Sequence, residues 1–202
     1  DDIVDVIHEE HEEDIMRLAG VGEEDDLYDA VVKTTMSRFS WLLLHLICAM
    51  TAAYVISLFQ VQIEQLVVLA VLMPVVATMG GAASVQALTV SVRGIAMKEV
   101  NPSNTIRTIG KEAMVGLLNG LIFALMISII SWFWFGSVAL GVVIAMAIMI
   151  NLFVAGLSGS ALPILLQKMG YDPAVASSAF LTSITDIVGF YVFLGLGAIV
   201  LL

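Results

Sequence analysis

Long apolar stretches alternate with short polar segments along most of the chain. Five of them reach the ~20 residues that a helix needs to cross ~30 Å of hydrocarbon. These five stretches are Trp41–Phe59, Leu66–Val92, Ala113–Phe135, Val138–Leu166 and Ala174–Leu202. The pattern predicts an all-α membrane protein whose five transmembrane helices occupy residues 40–202. The second and fourth stretches are overlong and contain Pro74 and Pro163, which indicates tilt, a kink or a broken helix.

Composition and charge support a multi-pass protein of the cell membrane. The chain is 60% hydrophobic and 13% charged, against about 25% charged in a soluble domain. All eight Lys and Arg residues fall on one side of the five-span arrangement, and the opposite connections, residues 60–65 and 136–137, have none. Cytoplasmic loops are the ones enriched in basic residues. We therefore expect a cytoplasmic N-terminus and an external C-terminus.

The first 29 residues differ from the rest because they hold 13 of the 18 acidic residues. The pattern suggests a short strand followed by an amphipathic helix that lacks its other half. We interpret residues 1–25 as the acidic tail of a preceding cytoplasmic domain, and residues 26–39 as a connecting helix leading into the first span. The carboxylates could bind divalent cations, but a run of charges is more often a solvated face.

Asp186 lies twelve residues into the last span, where a carboxylate costs roughly 2.5 to 3.5 kcal/mol on insertion scales. One such group makes a poor cation path, but a two-fold axis beside this span would pair two of them. Carboxylates and carbonyls suit hard cations such as Mg²⁺. Thr182 and Gly189, about one turn before and after, could add backbone carbonyls. The alternative is a protonated Asp186 bonded to a neighbouring helix.

Other polar groups in the spans carry less specific signals. Gln86, Asn119 and Asn151 add amides at similar depth, and we interpret them as interhelical hydrogen-bonding groups rather than ligands. Gly156-Leu-Ser-Gly159 matches a short pattern of intramembrane serine proteases, but no His follows residue 45 to act as base. Two copies of Asp186 could still form an aspartyl pair. We expect no enzymatic activity, and no basic aromatic surface suggests a nucleic-acid partner.

Four motifs resemble the MgtE magnesium channels, and the resemblance covers nearly all of the chain. They are Arg38-Phe-Ser-Trp-Leu-Leu-Leu44, Met73-Pro-Val-Val-Ala-Thr-Met-Gly-Gly81 with Gln86, Asp172-Pro173, and Leu181-Thr-Ser-Ile-Thr-Asp-Ile-Val-Gly-Phe190. The resemblance implies a homodimeric pore with Asp186 of both subunits at the selectivity site. It also implies an ion site involving Asp172 near a cytoplasmic mouth, a CBS-like domain before residue 25 and a pore-closing plug helix at residues 26–39.

The expected function is a channel in the lipid bilayer that carries Mg²⁺ and is gated by cytoplasmic Mg²⁺, with Mn²⁺, Co²⁺ and Ca²⁺ as other candidate ions. The alternative is a proton-coupled transporter in which Asp186 exchanges a proton for a metal ion. One position departs from the family pattern: Ala82 stands where an asparagine is usual after the glycine pair. Ion preference and conductance could change with the loss of that amide.

Overall fold

The structure is a computed structural model that describes residues 15–16, 18–19, 21, 28–173 and 178–202. Six helices make up this described part of the chain. They are α1 (Val31–Ser57), α2 (Gln60–Gln65), α3 (Val68–Ala96), α4 (Thr105–Phe135), α5 (Val138–Lys168) and α6 (Ser178–Val200). Five of these, all except α2, are long and apolar enough to cross a membrane. The prediction of an all-helical membrane protein with five spans is confirmed. Orientation and dimerisation stay predictions.

The helices extend beyond the apolar stretches that predicted them. Because α1 begins at Val31, residues 31–39 of the predicted connecting helix continue without interruption into the first span. Similarly, α4 begins at Thr105 and includes Glu112, which precedes the predicted third span. Most of the predicted acidic tail, residues 26–27 and the start of the fifth span at 174–177 lie outside the described residues.

Both proline-containing helices are continuous. Pro74 lies inside α3 and Pro163 inside α5, and each helix continues on both sides of its proline. A proline removes one intrahelical hydrogen bond and can kink a helix, but neighbouring helices often compensate for the loss in membrane proteins. The broken segment considered for these overlong spans was therefore wrong.

A link of two residues, Gly136 and Ser137, connects α4 to α5, and the two helices pack closely together. Gly136 has a left-handed backbone (φ 68°), which ends α4. The Ser137 hydroxyl then accepts a hydrogen bond from Leu140 N at 3.3 Å, which caps the start of α5. Glycines bring the two backbones together: a Cβ on Gly116 would meet the Leu152 carbonyl, and one on Gly156 would meet the Glu112 carbonyl. Small residues at such contacts favour close packing in membranes.

The core lies around α5, which packs against α3, α4 and α6. Its centre contains fully buried apolar side chains from three helices, among them Leu69, Val76, Ile144, Ile148, Phe193 and Leu194. In contrast, α1 packs chiefly against α6, and Ala52 is its one buried residue. The many exposed Leu, Ile and Met side chains of α1 form the kind of surface that contacts lipid or another membrane helix.

Candidate ion site on helix α6

Asp186 lies on α6, eight residues after Ser178 and hence about 12 Å along the helix axis. Its side chain is half-buried. Within the described ranges, no group donates a hydrogen bond to its carboxylate and no Lys or Arg pairs with it. The carboxylate is therefore available to a ligand or to a second copy of the chain.

The threonines beside Asp186 direct their hydroxyls into their own helix. Thr182 Oγ1 donates to the carbonyls of Ser178 at 2.9 Å and Ala179 at 3.0 Å. Thr185 Oγ1 donates to the Thr182 carbonyl at 2.9 Å and the Leu181 carbonyl at 3.3 Å. The Thr182 carbonyl thus already accepts a side-chain hydrogen bond in this conformation.

Asn151 ties α5 to α3 close to this segment. Its side chain is 1% exposed, and Nδ2 donates to the Val76 carbonyl of α3 at 2.9 Å. The sequence interpretation of Asn151 as an interhelical hydrogen-bonding group is confirmed. Its Oδ1 atom is buried with no hydrogen-bond partner among the described residues. A buried amide oxygen without a donor costs free energy, so this group is retained at some expense to stability.

Two glycines accommodate the Asn151 side chain. A Cβ on Gly80 of α3 would overlap Asn151 Nδ2 and would lie 3.0 Å from Thr185 Cβ. A Cβ on Gly189 of α6 would lie 2.7 Å from Asn151 Nδ2 and 2.9 Å from Val76 Cγ1. Helices α3, α5 and α6 therefore meet around one amide. This crossing fixes the rotation of α6 about its axis and so the direction in which Asp186 points.

The predicted site residues lie in three different environments. Thr182 contacts α3, where its Cγ2 atom is 3.0 Å from the position of a Cβ on Gly81, and Gly189 is buried against Asn151. Both are within about one turn of Asp186. Asp172, in contrast, is half-buried in the link that follows Gly170, at the end of the bundle where α5 ends. Their roles in holding an ion stay predictions.

A single chain provides few ligands for a metal. Among the described residues, no three His, Cys, Asp or Glu side chains come close enough together to hold an ion. Ala82, where the family pattern has an amide, lies on the exposed side of α3, whereas the two glycines that precede it, Gly80 and Gly81, are buried. The lost amide therefore alters a surface of the bundle and not the packing around Asn151.

Glu112 is a polar residue that the apolar pattern of the sequence did not single out. This residue is 9% exposed on α4 and lines a cavity together with Gln86 and Asn119, the two other amides noted in the sequence. It was overlooked because it stands one residue before the apolar stretch. The spacing of residues 112, 116 and 119 was the available signal, because it places Glu112 and Asn119 on the same helix face.

The family model for MgtE, described as a divalent cation transporter, matches residues 73–196, which include the helix crossing and all four predicted site residues. The chain belongs to the MgtE family. The resemblance inferred from the motifs is therefore confirmed, and membership in a transporter family agrees with the expectation that the chain is not an enzyme.

Three curated relatives share the name magnesium transporter MgtE. The one from Enterococcus faecalis is 36% identical over 198 residues, which is 98% of this chain and 44% of the relative. The Bacillus subtilis protein is 32% identical over 196 residues, 97% of this chain and 44% of the relative. The Thermus thermophilus protein is 29% identical over 203 residues, 100% of this chain and 45% of the relative. The chain thus spans less than half the length of these relatives.

Proposed function

We propose that two copies of this MgtE-family chain form a channel for Mg²⁺ across the cell membrane, with the Asp186 carboxylates of both copies facing the ion path. The observation that carries the proposal is the carboxylate itself: it is half-buried in a membrane helix and has no donor among the described residues. An ionisable group at such a place marks an ion path more often than it stabilises a bundle. The names of the relatives make Mg²⁺ the first ion to test.

Pairing the Asp186 carboxylates of two copies would supply the second negative charge that a single chain lacks at this site. A divalent ion about 5 Å from a carboxylate interacts with it by roughly 6 to 7 kcal/mol at an effective dielectric constant near 20, before desolvation is subtracted. Two Asp186 carboxylates would match the charge of one Mg²⁺ ion. Because Mg²⁺ gives up its waters reluctantly, we expect the site to hold a largely hydrated ion. Carbonyls near Thr182 and Gly189 would accept hydrogen bonds from those waters.

The same proposal assigns a role to the cytoplasmic side. Asp172 would contribute to an ion site at the mouth of the pore, and cytoplasmic Mg²⁺ would close the channel through the acidic tail and residues 26–39. In support, residues 31–39 share one continuous helix with the first span. A signal at the N-terminal end of α1 would therefore reach the membrane without crossing a flexible joint.

A proton-coupled transporter is the second candidate, and the same carboxylate supports it. An Asp186 side chain without a donor could bind a proton and a metal ion in alternation. The two candidates differ in what drives the ion. A coupled transporter follows the proton gradient, whereas a channel follows the membrane potential and the Mg²⁺ gradient alone.

The decisive experiment measures Mg²⁺ flux into liposomes that contain the wild-type protein, Asp186→Asn or Asp186→Glu. We expect Asp186→Asn to lose most of the flux while still assembling, because the substitution keeps the size of the side chain and removes two charges from the dimer. Losing even 1.4 kcal/mol of ion binding weakens it about tenfold. Asp186→Glu should keep part of the flux with altered selectivity.

Glu64→Gln is the matched control, because Glu64 is an exposed carboxylate on α2 that accepts a hydrogen bond from Gln60. It should leave the flux unchanged. Wild-type flux in a folded Asp186→Asn protein would show that the carboxylate is structural and would refute the proposal. Flux that requires an imposed proton gradient in the wild-type protein would favour the coupled transporter.

A further inference from the structure

A groove runs between α3 and α4, both of which pack on α5. Gln86 of α3 forms part of one wall, Glu112 and Asn119 of α4 form part of the other, and Leu152 and Gly156 of α5 form the floor. The remaining lining residues are Ala, Val and Gly. The cavity in this groove has a volume of about 200 Å³. A cavity of this size has room for several waters.

Glu112 lies where α4 packs closely on α5. Gly156 lets α5 approach so closely that a Cβ there would meet the Glu112 carbonyl, and Glu112 as a whole residue is 9% exposed. Within the described part of the chain, no hydrogen bond or ion pair engages the Glu112 carboxylate. Its oxygens remain accessible from the groove. A carboxylate that is largely removed from water is stabilised by a partner, since an unpaired charge is expensive to desolvate.

The chemistry of the groove suggests which partner that is. No Lys, Arg or His is among the described residues that line it, so these residues supply no counter-charge. The polar groups it does supply are a carboxylate and two amides, whose oxygens are the ligands that Mg²⁺ and Mn²⁺ accept. Glu112 and Asn119 are seven residues apart on one face of α4, or about 10 Å along the axis. Groups at that separation can hold one ion through its water shell.

We propose that Glu112, Gln86 and Asn119 form a second cation site, which binds a hydrated divalent ion in the groove between α3 and α4. This site is separate from Asp186, which lies on α6 beyond α5. It also differs in kind, because all three groups come from a single copy of the chain. The inference rests on this groove alone and does not require the pore proposed around Asp186.

The test counts Mn²⁺ ions bound to the full chain in nanodiscs by electron paramagnetic resonance. The main comparison is between wild type, Asp186→Asn, Glu112→Gln and the double variant. We expect the binding event assigned to the groove to survive in Asp186→Asn and to weaken by about tenfold or more in Glu112→Gln, because the substitution removes the one charge among the described residues that line the groove. Asn119→Leu should weaken it as well, since it removes one amide without changing charge.

Glu99→Gln is the matched control, because Glu99 is an exposed carboxylate in the link between α3 and α4 whose side chain lines no part of the groove. It should leave the Mn²⁺ titration unchanged. The second site would be overturned if the Mn²⁺ titration were identical in Asp186→Asn and in the double variant. It would also be overturned if Glu112→Gln lowered the stability of the dimer but bound as many Mn²⁺ ions as the wild-type protein. Neither result would bear on Mg²⁺ flux through Asp186, so failure of the groove site is distinguishable from failure of the proposed function.

Discussion

Replacing Gly80 with alanine tests the helix crossing that orients Asp186. The new methyl group would occupy the space of Asn151 Nδ2 and would lie 3.0 Å from Thr185 Cβ. Asn151 is enclosed between Gly80 and Gly189, so it cannot move away without losing its hydrogen bond to the Val76 carbonyl. The substitution therefore combines overpacking with the loss of a buried hydrogen bond.

The expected magnitude follows from three contributions. Overpacking costs about 1 to 3 kcal/mol, and a buried amide left without its acceptor costs a further ~1 to 3 kcal/mol. Alanine gains about 0.5 to 1 kcal/mol over glycine in the helix. The net loss in the free energy of unfolding is roughly 1 to 5 kcal/mol. We expect Mg²⁺ flux to fall as well, because a displaced α3 rotates or shifts α6.

The assay is unfolding in mixed micelles with increasing SDS, followed by tryptophan fluorescence, together with Mg²⁺ flux in liposomes. Gly110→Ala is the matched control: Gly110 also lies within a helix, α4, and a Cβ there has no atom within 4 Å. It should stabilise the protein by about 0.5 to 1 kcal/mol. Adding Asn151→Ala to Gly80→Ala should restore part of the lost stability, with a coupling energy of about 0.5 to 3 kcal/mol. The reasoning is refuted if Gly80→Ala behaves like Gly110→Ala, or if the double variant shows no coupling.

Two further predictions concern topology and regulation. In a protein whose Cys48 is replaced by serine, cysteines introduced at Arg107 and at Gln62 should be labelled from opposite sides of the membrane. The reason is that all Lys and Arg residues lie on one side of the five spans. Labelling of both cysteines from the same side would contradict the orientation. Deleting the acidic residues 1–25 should leave Mg²⁺ flux that no longer falls as cytoplasmic Mg²⁺ rises, because crowded carboxylates bridged by divalent ions would hold the adjoining helix in one position. Unchanged inhibition by Mg²⁺ in the deleted protein would count against this role.

Hydropathy was sufficient to find the five membrane helices. A segment that crosses the bilayer must satisfy its own backbone hydrogen bonds as a helix and carry a long run of apolar side chains, and that run is visible in the sequence. The same method located the helix ends poorly. It began the third span at Ala113, whereas α4 begins at Thr105, since the first two turns of this helix contain polar and basic residues outside the apolar stretch. Glu112 was overlooked for this reason, although the residue is largely buried and lines the groove.

The sequence also marked the polar groups but not their partners. Asp186 and Asn151 were both noticed as polar residues within apolar spans, because such residues are rare there. That Asn151 contacts Val76, Gly80 and Gly189 depends on how three helices cross, and no spacing within one helix encodes it. Runs of small residues indicated close helix packing. Only the structure shows that Gly80 makes room for the Asn151 side chain and that Gly156 makes room for the backbone of α4 at Glu112.

The packing bears on how the proposed gating would work. Helices α3, α5 and α6 meet at Asn151, and α4 packs on α5 through glycine contacts, so under the proposal we expect these four helices to move as one unit. The remaining span, α1, packs chiefly against α6, and near its end Phe59 contacts Tyr191 edge-on with ring centroids 5.9 Å apart. Under the proposed regulation, a displacement at Val31 is therefore transmitted along α1 to the helix that carries Asp186. A gating signal from the N-terminal side would then change how the four-helix units of two copies meet, and not the packing within either of them.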